Sequence, residues 1–505
     1  MKKRILRLII LLFLFLFSTA NATVWYIHPD STLNAIQAGL DSCTINDTIL
    51  VGSGIYYENI TWPNTQGIHL ISELGPDTTI IDGDNAERVI EVTTGVNYTT
   101  IINGFTIRNG YTSLDGSGFY CINSSPTITG NIITGNTCTW MFANGGGIYC
   151  YNASPIINNN IITLNLTDAS GGGIYCEYNS SPKITGNTIK DNSATDGGGI
   201  YCASGSSPII TRDTISTNTS YGYYYGGGGI YCAQGSSPTI KGNTITDNTT
   251  NGMGGGIYCD SPSAIMKGNV ITENISFFGG GGIYCCSSPT IRGNIINDNT
   301  TYYEGGGIHC DLSASPIIDS CTISGNDGSG LYCEYNANPV INYCNITGNT
   351  GYGVLNDDAG VTVNAEYNWW GDANGPGGVG PGSGDQVSNY VDYDPWLTDS
   401  VPVSNIGEQE PEQNVFFISK SYPNPFMDRT QIEYHLSRSC NVNISIYNTL
   451  GARIRVLLNE RQNTGEHTIT WDGKDNGGNK LSNGIYFLSI KVDGNKGTRK
   501  LLLIR

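Results

Sequence analysis

The chain has 505 residues, with 43 acidic and 25 basic side chains and a formal net charge of −18. The charge is concentrated in the body of the chain, because residues 23–414 hold 36 of the acids and eight of the bases. An acidic body argues against nucleic acid or an anionic membrane as partner. It would also repel an anionic polysaccharide, unless a cation such as calcium bridged the two.

The N-terminal residues 1–22 have the pattern of a secretory signal peptide. Four basic residues precede the apolar run 8–17, and Ala20-Asn21-Ala22 supplies small residues for cleavage. The apolar run is too short to span a bilayer, and no other stretch is long enough. The sequence therefore predicts an exported protein that is not an integral membrane protein.

The next segment predicts a strand at 23–30 and a short helix at 32–41 that begins after Ser31. Leu33, Ile36 and Leu40 would share one face of this helix. An amphipathic helix in this position would cover the open end of a stack of repeats. Short strands are predicted to follow at 47–51, 54–60, 68–71, 79–81, 89–92 and 101–107.

A hexapeptide, Gly-Gly-Gly-Ile-Tyr-Cys, then recurs along the chain. The closing cysteines of the hexapeptide and its variants lie 23 to 30 residues apart, which predicts a solenoid with one structural unit per repeat. The copies stand at 145–150, 171–176, 197–202, 227–232, 254–259 and 280–285, with variants at 116–121, 305–310 and 328–333.

Each repeat also carries isoleucines and asparagines at fixed positions. Counted from Pro238, isoleucine follows after two and seven residues, and asparagine after five and ten. The spacing predicts three short strands per coil, with isoleucine ladders in the core and asparagine ladders at the turns. Asparagine suits these turns because it tolerates the left-handed conformation and can pair with the same residue one coil away.

The order of the amphipathic helix, DTILVGSGIYYENI at 47–60 and GFTIRNG at 104–110 resembles the N-terminal end of pectin-lyase-like proteins. The resemblance implies an all-β fold, a right-handed parallel β-helix over residues 23–397 with about a dozen coils. The aromatic and proline residues of 367–378 and 391–397 are predicted to fold over its last coil.

Residues 398–414 are rich in Pro, Glu and Gln and are predicted to be a linker. Residues 415–505 predict a small Ig-like β-sandwich. Its motifs YPNPF, IYNTLG, WDGKD, GIYFLSI and RKLLLIR closely resemble the type A C-terminal sorting domain of type IX secretion. The resemblance implies the type IX machinery as a partner, and release into the medium or display on the outer cell surface.

The hexapeptide also predicts a row of tyrosines. Strand alternation places Ile and Cys inside and Tyr outside, so the row is expected to be exposed. Stacked rings could stabilise the sheet or bind sugar faces, and the loops before the hexapeptides carry further aromatic residues. The candidate ligand-binding residues are Tyr149, Tyr175, Tyr201, Tyr231, Tyr258 and Tyr284.

Nine of the 15 cysteines form the inward row of the same strands. Their spacing is a repeat period and not a disulfide framework, so buried free thiols are favoured over disulfides between coils. No Cys/His spacing typical of a metal site is present. The sequence predicts no metal site and no required cofactor, while calcium remains compatible with the acidic surface.

Candidate catalytic residues are few. His309 replaces a tyrosine of the row and has Glu304 and Asp311 near it in sequence. Two charged rows, one of Lys241, Lys267 and Arg292 and one of Asp247, Glu273 and Asp298, are interpreted as solvated surface charge.

The sequence is therefore compatible with two functions. The first is a non-catalytic binding or adhesion protein, with glycans as one candidate ligand, and the second is a polysaccharide lyase or glycoside hydrolase. Acids that converge with a Lys or Arg on the tyrosine face would favour the enzyme, and an aromatic row without them would favour binding.

Overall fold

A computed structural model describes residues 22–29, 35–402, 416–436, 440–448, 452–463, 465–492 and 495–504. The chain separates into two compact units, which divide between residues 406 and 407. Residues 1–21 of the predicted signal peptide, the predicted cap Ser31 and residues 403–414 of the predicted linker lie outside the described ranges. Within those ranges, no helix has the length and apolar character to cross a membrane.

The first unit is a parallel β-helix, as predicted. Successive coils stack in register, and each coil contributes strands to as many as four parallel sheets, here numbered 1 to 4 in the order in which a coil meets them. A coil leaves sheet 1 through an asparagine corner, enters sheet 2, passes a second asparagine corner into sheet 3, and reaches the tyrosine strand of sheet 4 after a loop of variable length.

The described strands of sheet 1 are Val24–Ile27, Thr48–Val51, His69–Ser72, Ile101–Asn103, Thr127–Thr129, Ile156–Asn158, Lys183–Thr185, Ile209–Thr211, Thr239–Lys241, Ile265–Lys267, Thr290–Arg292, Ile317–Asp319, Val340–Asn342, Val363–Asn364 and Val391–Asp392. Those of sheet 2 are Gly54–Tyr57, Thr79–Asp82, Thr106–Arg108, Ile132–Thr134, Ile161–Thr163, Thr188–Lys190, Thr214–Ser216, Thr244–Thr246, Val270–Thr272, Ile295–Asn297, Thr322–Ser324 and Asn345–Thr347.

Sheet 3 consists of the short strands Tyr111–Thr112, Thr137–Cys138, Leu166–Thr167, Ser193–Ala194, Thr219–Ser220, Thr249–Thr250, Ile275–Ser276 and Thr300–Thr301. Sheet 4 consists of Ile60–Thr61, Ile90–Val92, Phe119–Ile122, Ile148–Tyr151, Ile174–Glu177, Ile200–Cys202, Ile230–Cys232, Ile257–Cys259, Ile283–Cys285, Ile308–Cys310, Leu331–Cys333, Val354–Asn356, Pro376–Gly378 and Gly384–Val387. The prediction of three strands per coil missed sheet 3, because two residues are too few to show an alternation.

The core of the β-helix is built from in-register ladders. Ile240 of sheet 1 lies opposite Met266 of the next coil, and Ile245 of sheet 2 lies opposite Ile271. All four side chains are fully buried. A three-residue strand buries one inward side chain, so the stacking of many coils supplies a core that no single coil could form.

Two asparagine ladders run beside this core, as predicted. The Asn248 side-chain amide donates to the Asn274 Oδ1 atom and to the Ile215 carbonyl oxygen, both at 2.9 Å. The backbone N–H of Asn248 donates to the same Asn274 oxygen at 3.0 Å. The pattern repeats from coil to coil and satisfies the buried polar groups of each turn.

One coil replaces the asparagine by an acid. Asp213 accepts hydrogen bonds at its Oδ1 atom from the backbone N–H and the side-chain amide of Asn187, at 2.7 and 2.9 Å. Its Oδ2 atom is buried without a hydrogen-bond partner. Burial raises the pKa of this carboxyl group from 3.8 to about 7.

The N-terminal end of the stack is covered by a helix at Ile36–Ser42, whose Ile36 and Leu40 side chains are buried. Ile36 and Leu40 share the buried face as predicted, Leu33 lies outside the described ranges, and the described helix begins at Ile36 after an extended Ala35. Its N-terminal amides are capped from a later coil: Glu58 accepts hydrogen bonds from the backbone N–H groups of Ile36 and Gln37, at 2.7 and 2.8 Å. A carboxylate in this position also favours the helix dipole.

The last coil is covered as predicted. Trp370 is fully buried in the core of the β-helix, and Tyr393 and Trp396 pack against that core. These rings close the apolar end of the stack, where the next coil would otherwise sit.

The second unit has the predicted two-sheet architecture of an Ig-like sandwich. Within the described residues, one antiparallel sheet joins Phe416–Tyr422, Thr430–Leu436 and Gly465–Trp471, and the other joins Arg453–Gln462, Cys440–Tyr447, Gly484–Val492 and Asn495–Leu503. Trp471 is fully buried in the shared core.

Candidate functional site

The tyrosine row of sheet 4 is positioned by the glycines that precede it. Gly254 has a φ of 73°, a left-handed conformation that glycine adopts without strain. A Cβ atom at Gly256 would lie 2.7 Å from the carbonyl oxygen of Gly282 in the next coil. Glycine therefore lets the chain turn sharply and lets adjacent coils approach before each tyrosine strand begins.

The tyrosine rings stack on one another along the sheet. In-register pairing brings Tyr231 opposite Tyr258 and Tyr201 opposite Tyr231. The ring centroids of these two pairs are 4.6 and 4.5 Å apart, with interplanar angles of 14° and 7°. Both faces of each central ring are thus occupied by neighbouring rings.

The prediction that this row is exposed is wrong. Tyr258 is 4% exposed and Tyr284 is 2% exposed, and Tyr149, Tyr175 and Tyr231 are also buried. Tyr201 is half-buried. The rings do point away from the isoleucine core, as predicted, and form hydrophobic clusters separate from it.

Loops and neighbouring side chains cover the row. The Tyr225 ring lies edge-on against Tyr258 with centroids 5.9 Å apart, and Met253 packs against the same cluster. Burial raises the tyrosine pKa values, most strongly for Tyr258. The six tyrosines proposed from the sequence as ligand-binding residues therefore present no free ring face to a ligand.

The hydroxyl groups of the row meet side chains of the following coil. Tyr149 donates to the Glu177 Oε2 atom at 3.0 Å, and Tyr284 donates to the Asp311 Oδ2 atom at 2.5 Å. Glu177 lies two residues after Tyr175, and Asp311 lies at the equivalent position two residues after His309. They hold the phenol groups in place and bring negative charge to the edge of the row.

The three candidate catalytic residues do not come together. The His309 Nε2 atom lies 3.0 Å from the Glu334 Oε1 atom, whereas Asp311 bonds to Tyr284. Glu304 accepts a hydrogen bond from the Ser329 hydroxyl at 3.1 Å. Sequence reasoning missed Glu334, which occupies the position of Asp311 one coil further on.

His309 is also sealed from solvent. His309 is only 1% exposed, and its Nδ1 atom has no hydrogen-bond partner. Gly279 lies against the Nδ1 side of the ring, since a Cβ atom there would be 2.3 Å from Nδ1. The histidine fits the stack in place of a tyrosine, with its ring 4.7 Å from that of Tyr284.

A second group of aromatic residues, most of them exposed, contacts the row at Tyr258 and Tyr332. It is formed by the loops that join sheet 3 to sheet 4 and is called here the aromatic patch. Tyr302 is 75% exposed and Tyr223 is 64% exposed. The patch consists of Tyr223, Tyr224, Tyr225, Phe277, Phe278, Tyr302 and Tyr303.

The rings of the aromatic patch touch in sequence. The ring centroids of Tyr223 and Phe278 lie 5.1 Å apart, those of Phe278 and Phe277 lie 5.0 Å apart, and those of Phe277 and Tyr302 lie 5.5 Å apart. The loop backbones are bonded to neighbouring coils, for example by the Phe278 N–H to the Gly252 carbonyl oxygen at 3.0 Å. The patch is therefore held in place across several coils.

A charged cleft of about 220 Å³ lies at the N-terminal end of the row, lined by Glu87, Arg88 and Glu91 among others. The Arg88 guanidinium carbon is 3.7 Å from the centre of the Tyr120 ring, and the guanidinium pairs with Glu91 at 3.1 Å. Glu91 is in register with Tyr120. Sequence reasoning missed this cluster, because its strand lacks the hexapeptide.

The nine cysteines of the row are buried and form no disulfide bonds with one another, as predicted. Hydrogen bonding to Cys232 and burial together raise the pKa of Cys259 well above its ordinary value, which keeps the thiol neutral. The described residues contain no group of His, Cys, Asp and Glu side chains arranged to hold a metal ion.

Two family models match the chain, one in each unit. The family described as right handed beta helix region matches residues 37–229 and 228–389, and the family described as FlgD Ig-like domain matches residues 427–496. Among solved structures, a double mutant of the tailspike protein of E. coli bacteriophage HK620 matches with 9% identity and a TM-score of 0.27, over 95% of this chain and 85% of that chain. No curated protein matches the chain.

Proposed function

This chain belongs to the right-handed β-helix family, and from that premise we propose that it is an exported protein that binds glycans without cleaving them. The observation that carries the proposal is the aromatic patch. Large exposed apolar surfaces are uncommon on soluble proteins and mark interaction sites. Most rings of the patch are exposed to solvent on loops, whereas the tyrosines of sheet 4 are buried and stack on one another.

The chemistry of the patch suits a sugar chain. A pyranose ring has an apolar C–H face with hydroxyl groups around its rim, and tyrosine matches both with an aromatic face and a polar tip. Aromatic residues also lose little conformational entropy on binding, and held loops lower that cost further. A row of rings across several coils would engage several sugars of one chain.

Export is supported by two features of the chain. The N-terminal residues have the charge and hydrophobicity of a signal peptide. The C-terminal Ig-like unit carries motifs that resemble the type IX sorting domain, so we propose passage through the type IX machinery. The protein would then act in the medium or on the outer cell surface.

The binding proposal predicts a loss of retention when the patch is removed. Tyr223, Tyr224 and Tyr302 are replaced together by alanine, and migration is measured in native gels that contain neutral plant or algal polysaccharides. We expect the apparent affinity to fall at least tenfold, because each central ring contributes about 1 kcal/mol or more to such a surface.

The matched control replaces Tyr26, Tyr57 and Tyr98, three tyrosines that are exposed elsewhere on the β-helix, at 60%, 64% and 65%. This variant should migrate like the unmodified protein. Equal retardation of the patch variant and the control, or no retardation of the unmodified protein in any gel, would contradict the proposal.

A second function, cleavage of polysaccharide, is favoured by the charged cleft beside Tyr120. There an arginine meets the carboxylate of Glu91 on the tyrosine face, which is the arrangement expected of an enzyme. Binding without cleavage predicts no new reducing ends and no unsaturated products from a polysaccharide panel, with or without calcium. If such products form and are lost in a Glu91→Gln variant, the protein is an enzyme, and the proposal of binding without cleavage is wrong.

A further inference from the structure

A half-buried carboxylate lies where the aromatic patch begins. Asp196 belongs to the loop that joins sheet 3 to sheet 4 one coil before the aromatic loop of residues 221–226. Gly222, which precedes the first ring of the patch, packs against it, because a Cβ atom at Gly222 would lie 2.8 Å from the Asp196 Oδ1 atom. The Gly222 N–H also donates to the Thr195 carbonyl oxygen at 2.8 Å. The two loops are therefore joined, and the carboxylate lies beside the first residues of the patch.

Within the described part of the chain, no group balances this carboxylate. Burial alone raises the pKa of Asp196 from 3.8 to about 6, and neither a hydrogen bond nor a positive charge acts against it. The group is still ionised at neutral pH. Its charge also acts, after burial, to raise the pKa of Tyr201, the half-buried member of the tyrosine row. A half-buried ionised group without a partner costs free energy, and a ligand that carries a positive charge would remove that cost.

The loops of this face carry negative charge and no positive charge. The seven loops that lead from sheet 3 to sheet 4 between residues 139 and 304 contain three acids and no Lys, Arg or His. Glu304 directly follows Tyr303 of the patch, and its hydrogen bond from the neutral Ser329 hydroxyl leaves its charge in place. The face therefore combines exposed rings with carboxylates, which disfavours an anionic polysaccharide and favours a cationic one.

We propose that the aromatic patch binds a linear glycan that carries free amino groups, with Asp196 as the partner of one protonated amine. This inference rests on the proposed glycan-binding function and names the class of glycan. The C–H faces of the sugars lie on exposed rings such as Tyr223 and Tyr224, which are 64% and 68% exposed. An ammonium group is attracted both to a carboxylate and to the faces of tyrosine rings. A neutral glycan uses the rings alone and binds more weakly.

The test compares two ligands that differ only in the groups on nitrogen, a hexasaccharide of glucosamine and the same chain fully N-acetylated. Binding to the full chain is measured by isothermal titration calorimetry at neutral pH and physiological ionic strength. The amino form should bind at least about fivefold more tightly, because only this form pairs with the carboxylate. An Asp196→Asn variant, which removes the charge and keeps the size of the side chain, should bind both hexasaccharides with the affinity of the acetylated form.

The matched control is Asp247→Asn, which removes one exposed negative charge beyond sheet 2 of the same β-helix. It should change either affinity less than about twofold, and circular dichroism should show both variants folded. Equal losses in the two variants would indicate general attraction to the acidic body and would overturn the proposal. Equal affinities of the unmodified protein for the two hexasaccharides would overturn it and leave glycan binding intact. If the amino form does not bind, this proposal fails alone when neutral polysaccharides still bind, and together with the glycan-binding proposal when they do not.

Discussion

Replacement of Asn248 by alanine is expected to lower the free energy of unfolding by about 3–5 kcal/mol, because each buried group left without a partner costs about 1–3 kcal/mol. The Asn248 Oδ1 atom accepts hydrogen bonds from the backbone N–H and the side-chain amide of Asn218, both at 3.0 Å. Its own side-chain amide donates hydrogen bonds to the Ile215 carbonyl oxygen and to the Asn274 Oδ1 atom. Alanine would leave the Asn218 backbone N–H without this acceptor and the Ile215 carbonyl oxygen without this donor, and it would remove one hydrogen bond from each of the neighbouring asparagine side chains.

Urea unfolding followed by circular dichroism measures the effect. Asn251 lies three residues further along the same coil and is exposed, so Asn251→Ala should change the free energy by less than about 0.5 kcal/mol. Similar values for the two variants would show that the buried ladder does not hold the coils together.

Replacement of Asp213 by asparagine is expected to stabilise the protein at pH 8 and to have little effect near pH 4. An asparagine amide would donate at the position of the unpartnered Oδ2 atom, as the neighbouring ladder residues do. The pKa of Asp213 is raised by burial from 3.8 to about 7 in the folded chain. Integrated over that interval, the shift corresponds to about 4 kcal/mol.

The sign follows from proton binding. Below about pH 4 the Asp213 carboxyl group is neutral in both the folded and the unfolded chain, so it lowers the free energy of unfolding very little. Between about pH 4 and pH 7 the unfolded chain releases the proton first, and stability falls until the folded group also ionises. Above pH 7 the loss in free energy of unfolding is complete and no longer changes with pH, and Asp213→Asn should remove this loss.

The measurement is a series of urea unfolding curves between pH 4 and pH 8 for the unmodified protein and the variant. Asp247→Asn serves as the control, because Asp247 is exposed in the same region of the β-helix. A stability difference between Asp213→Asn and the unmodified protein that is constant across this pH range would refute the raised pKa.

Much of the architecture could be predicted from particular residues. The spacing of Ile240 and Ile245 around Asn243 gave both sheets and the corner between them, since each position repeats in the next coil. The same ladder shows Asp213 as an acid in an asparagine row, and this departure can be seen in the sequence. The lack of a hydrogen-bond partner at its Oδ2 atom, however, depends on how atoms of three adjacent coils are arranged around it.

The candidate site was harder to predict. The pairing of His309 with Glu334 joins residues 25 positions apart, and proximity in sequence had favoured Glu304 and Asp311. Arg88 was missed for a similar reason, because it reaches the tyrosine row from a coil without the hexapeptide. Contacts between coils follow the register of the stack and not the distance along the chain.

The sequence by itself determined the β-helix, its ladders and the side of the sheet on which each tyrosine lies. These properties follow from the alternation of strands and the repeat period, which are local. The tertiary structure decided which outward residues meet solvent, because loops of different length fold over one face and leave another open. It buried the tyrosine row that the repeat had suggested as a binding surface, and it left most rings of the aromatic patch exposed.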